Sequence, residues 1–107
     1  MKTRVVITGL GAITPVGNNV DDFWNNIKNG VCGIDFIKNF DTTDFKAKLA
    51  AEVKDFDPTE ALGRREARRL DRFSQFAMTS ADEAIKDSGL DLDSIDKSRF
   101  GVVVGSG

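Results

Sequence analysis

The sequence contains no histidine and only one cysteine among its 107 residues. Without histidine, these residues offer no imidazole base and no imidazole-activated nucleophile. A single cysteine rules out an internal disulfide, fits a reducing compartment and is too few for a cysteine–histidine zinc site. No apolar run approaches the ~20 residues of a membrane span, and the N-terminus lacks a signal-peptide pattern. We therefore expect a cytoplasmic protein with no metal site and no membrane partner.

Complete nucleotide-binding motifs are also missing. Gly9–Gly11 follows an apolar segment, but the third glycine of G-x-G-x-x-G would fall at Thr14. Pro15 also lies where the helix of that motif should begin, and no G-K-[ST] sequence occurs. Cys32 is the only strong nucleophile type, and it follows a predicted helix C-terminus, where a thiolate is disfavoured. We predict that Cys32 is a small packed residue, and that these residues hold no cofactor and no catalytic group.

With 40% hydrophobic and 30% charged residues the composition is that of a globular protein, and 107 residues are enough for one domain with a core but not for two. The net charge of −2 hides an asymmetry. Residues 64–72 carry five arginines against two acids, and residues 82–97 carry six acids against two lysines. The basic charge is therefore a local patch on a mildly acidic chain.

Two segments predict buried strands of an α/β protein. Arg4–Thr8 and Arg99–Gly105 are rich in β-branched residues, and each leads into a Gly-x-Gly sequence. Helical patterns lie between them, which predicts mostly parallel core strands joined by crossover helices. A buried strand is an unusual end for a chain, so we expect residues 1–107 to be the front part of a larger α/β protein. Leu49–Val53 predicts a further strand, at an edge.

Capping residues predict where the helices begin and end. Asn18 or Asn19 can cap a first helix, which Gly30 ends. Asp57 and Pro58 suit the N-cap and first position of a short helix. That helix runs to Leu62, and Gly63 then separates it from the next.

The longest predicted helix is Arg64–Ser88, which should end at Gly89. At about 100° per residue its arginines fall within an arc of roughly 140°, opposite the apolar side chains. Only Glu66 and Asp71 lie among the arginines, so the cluster predicts an anionic partner. The alternative is an ordinary solvated helix face. The basic side consists of Arg64, Arg65, Arg68, Arg69 and Arg72, and the apolar side of Leu70, Phe73, Ala77, Ala81, Ala84 and Ile85.

Three kinds of anion could fit the arginines: a phosphate, a nucleic acid or an acidic protein surface. A stand-alone module that binds nucleic acid or another polyanion is one hypothesis. Its chain would more often be basic overall, and it would offer aromatic side chains for bases to stack on. Phe73 lies on the predicted apolar side, and only Phe76 borders the basic one. We therefore expect no nucleic-acid partner.

Four stretches occur in a distinctive order and spacing: VVITGLGAITPVGNNVDDFWNNIKNGVCGI, FDTTDF, RREARRLDRFSQFAMTSADEAIKDSGL and RFGVVVGSG. Together they resemble the N-terminus of the β-ketoacyl-acyl-carrier-protein synthases, and the resemblance covers essentially the whole chain. Synthase II, the elongating type, is the most similar, while synthase I and polyketide-type ketosynthases stay open. The family implies a thiolase-like fold with α-β-α-β-α layers, a homodimer, and a decarboxylative condensation through a cysteine thioester.

The family's Cys-His-His set has no counterpart in this chain. Cys32 does not match the nucleophile position and no histidine is present, so the resemblance implies that these residues alone are inactive. One role transfers by position, which is docking of the acidic acyl carrier protein. It falls on Arg65, Arg68 and Arg69, with Arg64 and Arg72 as weaker neighbours. The resemblance thus makes residues 1–107 the N-terminal portion of a synthase N-terminal domain.

Overall fold

The computed structural model describes all residues from 1 to 107, and most of its helices and strands are short. None of the helices combines the length and the apolar character needed to cross a bilayer. In chain order the elements are α1 Val20–Lys28, β1 Ile34–Phe36, β2 Leu49–Ala51, α2 Pro58–Leu62, α3 Arg64–Arg69, α4 Arg72–Ser88 and a 3₁₀ turn at Lys97–Arg99.

The predicted capping residues are confirmed. The Asn19 side chain accepts a hydrogen bond from the Asp22 backbone N–H at 2.8 Å and so begins α1. Asp57 does the same for α2, accepting from the Thr59 N–H at 2.8 Å. Gly89 ends α4 in the left-handed conformation with φ 65°, which glycine adopts without steric cost.

The prediction of one helix over Arg64–Ser88 is wrong, because the structure has two helices there. Leu70 is extended, with φ −104° and ψ 138°, and Asp71 takes the N-cap position of α4. No glycine or proline marks this break in the sequence, so helical periodicity alone cannot reveal it. The physical reason lies in an alternative hydrogen bond, since the Gln75 side chain donates to the Ala67 carbonyl at 2.9 Å.

The chain forms one sheet, in which β1 and β2 are antiparallel. Ile34 pairs with Ala51 and Phe36 with Leu49. The predicted strand in Leu49–Val53 is confirmed as β2, whereas β1 is not predicted from the sequence.

The strands predicted at Arg4–Thr8 and Arg99–Gly105 are absent from the structure. A strand exists only through hydrogen bonds to a neighbouring strand, and neither segment has such a neighbour. Their apolar side chains are correspondingly exposed, as Val5 at 87% and Val103 at 99% illustrate. The predicted parallel arrangement is therefore not formed, and the only sheet is antiparallel.

The chain is long enough for one domain with a core, but no hydrophobic residue in it is buried. The radius of gyration is 17.2 Å, against about 13 Å for a compact domain of this length. The predicted apolar side of α4 is only partly covered. Leu70, Ala84 and Ile85 are half-buried, whereas Phe73, Ala77 and Ala81 are exposed.

The segment Gly9–Ala12, which we call the glycine loop, packs its backbone closely against that of α4. A Cβ atom at Gly11 would lie 1.8 Å from the Ser80 carbonyl oxygen, and one at Gly9 would lie 2.1 Å from that of Ala84. Only glycine lets the loop backbone approach the helix backbone this closely. These glycines are therefore required by packing.

Two carboxylates of α4 hold the same loop through its backbone amides. The Leu10 N–H donates to Asp87 at 2.9 Å and the Ala12 N–H donates to Glu83 at 2.9 Å. The other Glu83 oxygen accepts from the Val20 N–H at 2.8 Å, at the start of α1. One carboxylate thus ties the loop, α1 and α4 together.

We predict that Glu83→Gln destabilises the protein by about 1–3 kcal/mol, because hydrogen bonds to a charged group are lost. The glutamine side-chain amide has one oxygen, so it can accept from only one of the Ala12 and Val20 N–H groups, and its own NH₂ then faces the other. The neighbouring substitution Asp82→Asn is the control, since Asp82 only pairs with Lys86 at the surface, and should cost less than about 1 kcal/mol. Urea denaturation of both variants measures the difference, and equal midpoints would contradict this role of Glu83.

Candidate functional site

The structure distributes the five predicted arginines over two helices. Four of them lie on the six-residue α3, and Arg72 is the first residue of α4. All five are exposed. The single arc expected on one continuous helix is therefore replaced by a cluster on α3 with a fifth arginine beside it. We call Arg64, Arg65, Arg68, Arg69 and Arg72 the arginine surface.

Most of the arginine surface has no acidic partner within the chain. Arg64, Arg65 and Arg68 have no carboxylate within 4.0 Å, while Arg69 pairs with Glu66 at 3.7 Å. That pair is solvent-exposed on both sides and so contributes little. Like charges held on less than two turns of helix repel one another and favour an external anion.

Arg72 differs from the other four because it stacks on aromatic rings. Its guanidinium carbon lies 4.9 Å from the Phe56 ring centre and 4.8 Å from that of Phe76. The two rings contact each other edge to face, with centres 5.2 Å apart. This cation–π arrangement holds Arg72 against Phe56, which lies just before α2, whereas none of the four arginines on α3 stacks on a ring.

Cys32 is exposed, so the prediction that it is a packed residue is wrong. It follows the end of α1 in an irregular segment, and its thiol approaches only the Ile34 carbonyl oxygen, at 4.0 Å. The reason for its exposure is that the chain supplies nothing to cover this segment. No imidazole is available to activate it.

Two backbone amides of the glycine loop already donate to carboxylates of α4. A phosphate site needs backbone N–H groups that are free to donate. Here Leu10 and Ala12 already donate to Asp87 and Glu83, whose charges also repel an anion. The adjoining concavity of about 520 Å³ is lined mainly by polar and acidic side chains.

Two carboxyl groups have shifted pKa values, and both stabilise turns away from the arginine surface. The Thr43 hydroxyl and then its N–H lower the pKa of Asp41, and the Ser98 hydroxyl and N–H lower that of Asp96. Each is solvent-exposed and caps a local turn. Their shifted pKa values therefore indicate capping and point to no catalytic role.

The most buried residue near the arginine surface was not predicted. Gln75 is 8% exposed, and its side-chain amide donates to the carbonyls of Ala67 and Leu70. The sequence gives no signal for it, since its neighbours are Ser74 and Phe76 and a glutamine on a helix is usually exposed.

A family profile matches nearly the whole chain. The profile describes the β-ketoacyl synthase N-terminal domain and covers residues 2–107. The chain is 45% identical over 106 residues to 3-oxoacyl-[acyl-carrier-protein] synthase 2 of Synechocystis, covering 99% of this chain and 26% of that protein. It is 47% identical over 104 residues to the enzyme of the same name from Staphylococcus aureus, covering 97% of this chain and 25% of that protein. The chain thus spans about a quarter of the length of these relatives.

Solved structures give a similar result. The ishigamide ketosynthase/chain length factor superimposes with a TM-score of 0.75 at 32% identity, over 84% of this chain and 22% of that one. A type II polyketide ketosynthase, solved in complex with its acyl-carrier protein, superimposes with a TM-score of 0.67 at 31% identity. That match covers 90% of this chain and 25% of the other. The likeness supports a thiolase-like fold of the ketosynthase type.

Proposed function

Because this chain belongs to the β-ketoacyl synthase family, we propose that it is the N-terminal part of a 3-oxoacyl-acyl-carrier-protein synthase 2. The enzyme is an acyltransferase that elongates fatty acyl chains. Malonyl-carrier protein loses CO₂, and its α-carbon forms a bond to the acyl carbonyl of an enzyme thioester, which releases the enzyme thiol. The identities of 45–47% to enzymes of that name favour this type over a polyketide ketosynthase.

Within such an enzyme, residues 1–107 act as the N-terminal portion of the synthase N-terminal domain. The exposed apolar segments at 4–8 and 99–105 are suited to become parallel strands once neighbouring strands cover them. Their place is in the α-β-α-β-α layers of the thiolase-like fold, in a cytoplasmic homodimer. The condensation itself requires a nucleophile and histidines that these residues do not include.

The contribution of this chain to the reaction is a docking surface for acyl carrier protein. The observation that carries this proposal is the set of exposed arginines without carboxylate partners, at Arg64, Arg65 and Arg68. A carrier protein is acidic, and arginine binds carboxylates and phosphates through two parallel hydrogen bonds. The complex of the polyketide ketosynthase with its carrier protein supports the same kind of partner.

The test uses the protein as its native cell makes it, supplied with acyl- and malonyl-carrier protein. We expect release of CO₂ and formation of 3-oxoacyl-carrier protein. We also expect the Kd for carrier protein to rise at least about fivefold between roughly 50 and 300 mM salt, because exposed charge pairs are screened. Duplex DNA of matched charge is the comparison ligand. Tight DNA binding without condensation would replace this proposal with the polyanion-binding module.

A further inference from the structure

The orientation of α3 depends on what holds its C-terminal end. A helix of six residues is not stable by itself in water, and this one carries four arginines that repel one another. In a continuous helix the Ala67 and Leu70 carbonyls would accept from the amides of Asp71 and Ser74. The break at Leu70 removes both partners, and no backbone amide donates to either carbonyl.

Gln75 supplies the missing donors. Its side-chain nitrogen donates to the Ala67 carbonyl at 2.9 Å and to the Leu70 carbonyl at 3.2 Å. Its backbone N–H donates to the Asp71 carbonyl at 2.9 Å, within the first turn of α4. Gln75 is also the only buried residue of the chain, at 8% exposed, so its side chain is largely shielded from water. One side chain therefore couples the end of α3 to the start of α4.

We infer that Gln75 is a positioning residue for carrier-protein docking: it fixes the angle of α3 and so presents Arg65, Arg68 and Arg69 as one cluster. The inference rests on the docking role proposed above. Gln75 itself is buried and does not touch the partner. A neutral group with two N–H donors is required, which glutamate in its ionised form and methionine both lack. Asparagine has the same amide but is one methylene too short.

The test compares Gln75→Glu and Gln75→Met in the native protein, with every arginine intact. At about pH 8, an ionised carboxylate facing two carbonyls should weaken carrier binding roughly 3- to 10-fold, and methionine should have a similar effect. The control is Glu83→Gln, which loosens the other half of α4 and should leave the Kd for carrier protein within about twofold.

A pH series separates positioning from a general loss of structure. Burial raises the pKa of the introduced carboxyl group, and its protonated form regains one O–H donor. For Gln75→Glu, the ratio of its Kd to that of the unmodified protein should therefore fall to within about twofold near pH 5.5. For Gln75→Met the ratio should stay constant. With a carrier-free thioester as substrate, both variants should keep their kcat.

Three results would overturn the positioning role of Gln75. Carrier affinity unchanged in both Gln75 variants, but lost on reversing the arginine charges, overturns this inference and leaves the docking role intact. Affinity unchanged in all of these variants overturns the docking role and the inference with it. Failure of both Gln75 variants to fold, or equal loss of activity toward carrier-bound and carrier-free thioesters, shows a purely structural role and also overturns it.

Discussion

Replacing Arg65, Arg68 and Arg69 with glutamate is expected to weaken binding of acyl carrier protein by about 2–4 kcal/mol, or roughly 30- to 700-fold in Kd. Each substitution removes an attraction to an acidic partner and adds a repulsion. Arg65 and Arg68 have no internal carboxylate to compensate, so their full charge faces the partner. Calorimetric titration at low salt measures the change.

The salt dependence of binding should change in the same experiment. Raising salt weakens the unmodified complex by screening, so the triple variant should show a flatter or reversed dependence. The matched control reverses three exposed lysines elsewhere, Lys28, Lys46 and Lys97, for the same change in net charge. Equal loss of affinity in both triple variants would mean that net charge alone steers the partner, and would exclude a specific arginine surface.

Gly11→Ala is expected to destabilise the protein by about 3 kcal/mol or more. The new methyl group would lie 1.8 Å from the Ser80 carbonyl oxygen, and that oxygen is backbone inside α4. A flexible side chain could move aside, but a helix backbone must shift as a whole. The loop must then leave α4, and the hydrogen bonds of Leu10 and Ala12 to the helix carboxylates are lost.

Gly101→Ala is the matched control, because a Cβ atom there meets no atom within 4 Å. Its free energy of unfolding should differ from that of the unmodified protein by less than about 0.5 kcal/mol. Guanidinium denaturation gives both values from the midpoint and slope. Equal midpoints for the two alanine variants would show that the loop tolerates displacement from α4.

The features that the sequence predicts correctly are those that depend only on residues nearby in the chain. Asn19, Asp57 and Gly89 act at helix ends through their own side chains or backbone freedom, so their roles follow from residue type and position. The break at Leu70 depends on a donor five residues further along and has no local signal. The strands expected at 4–8 and 99–105 require neighbours that this chain does not provide, which no pattern within those residues could reveal.

The composition of the arginine surface was predictable, but its geometry was not. Counting acids near Arg64–Arg72 indicates correctly that the charges are under-compensated. The separate role of Arg72 arises because it stacks on Phe56, which lies 16 residues earlier in the chain, before α2. Whether the arginines bind a carrier protein stays a prediction, since it depends on a second molecule.

The glycine loop and α4 also match each other in the spacing of their contacts. Four residues of helix advance about 6 Å, and two residues of extended chain span about 6.6 Å. Glu83 and Asp87 are spaced by the first repeat, and their donors Ala12 and Leu10 by the second. Because the two repeats nearly coincide, every second residue of the loop lies opposite every fourth residue of α4, much as residues face one another on paired strands. Inserting or deleting one residue within the loop would move its amides away from Glu83 and Asp87 and its glycines away from the helix backbone at once. This loop should therefore not vary in length by one residue.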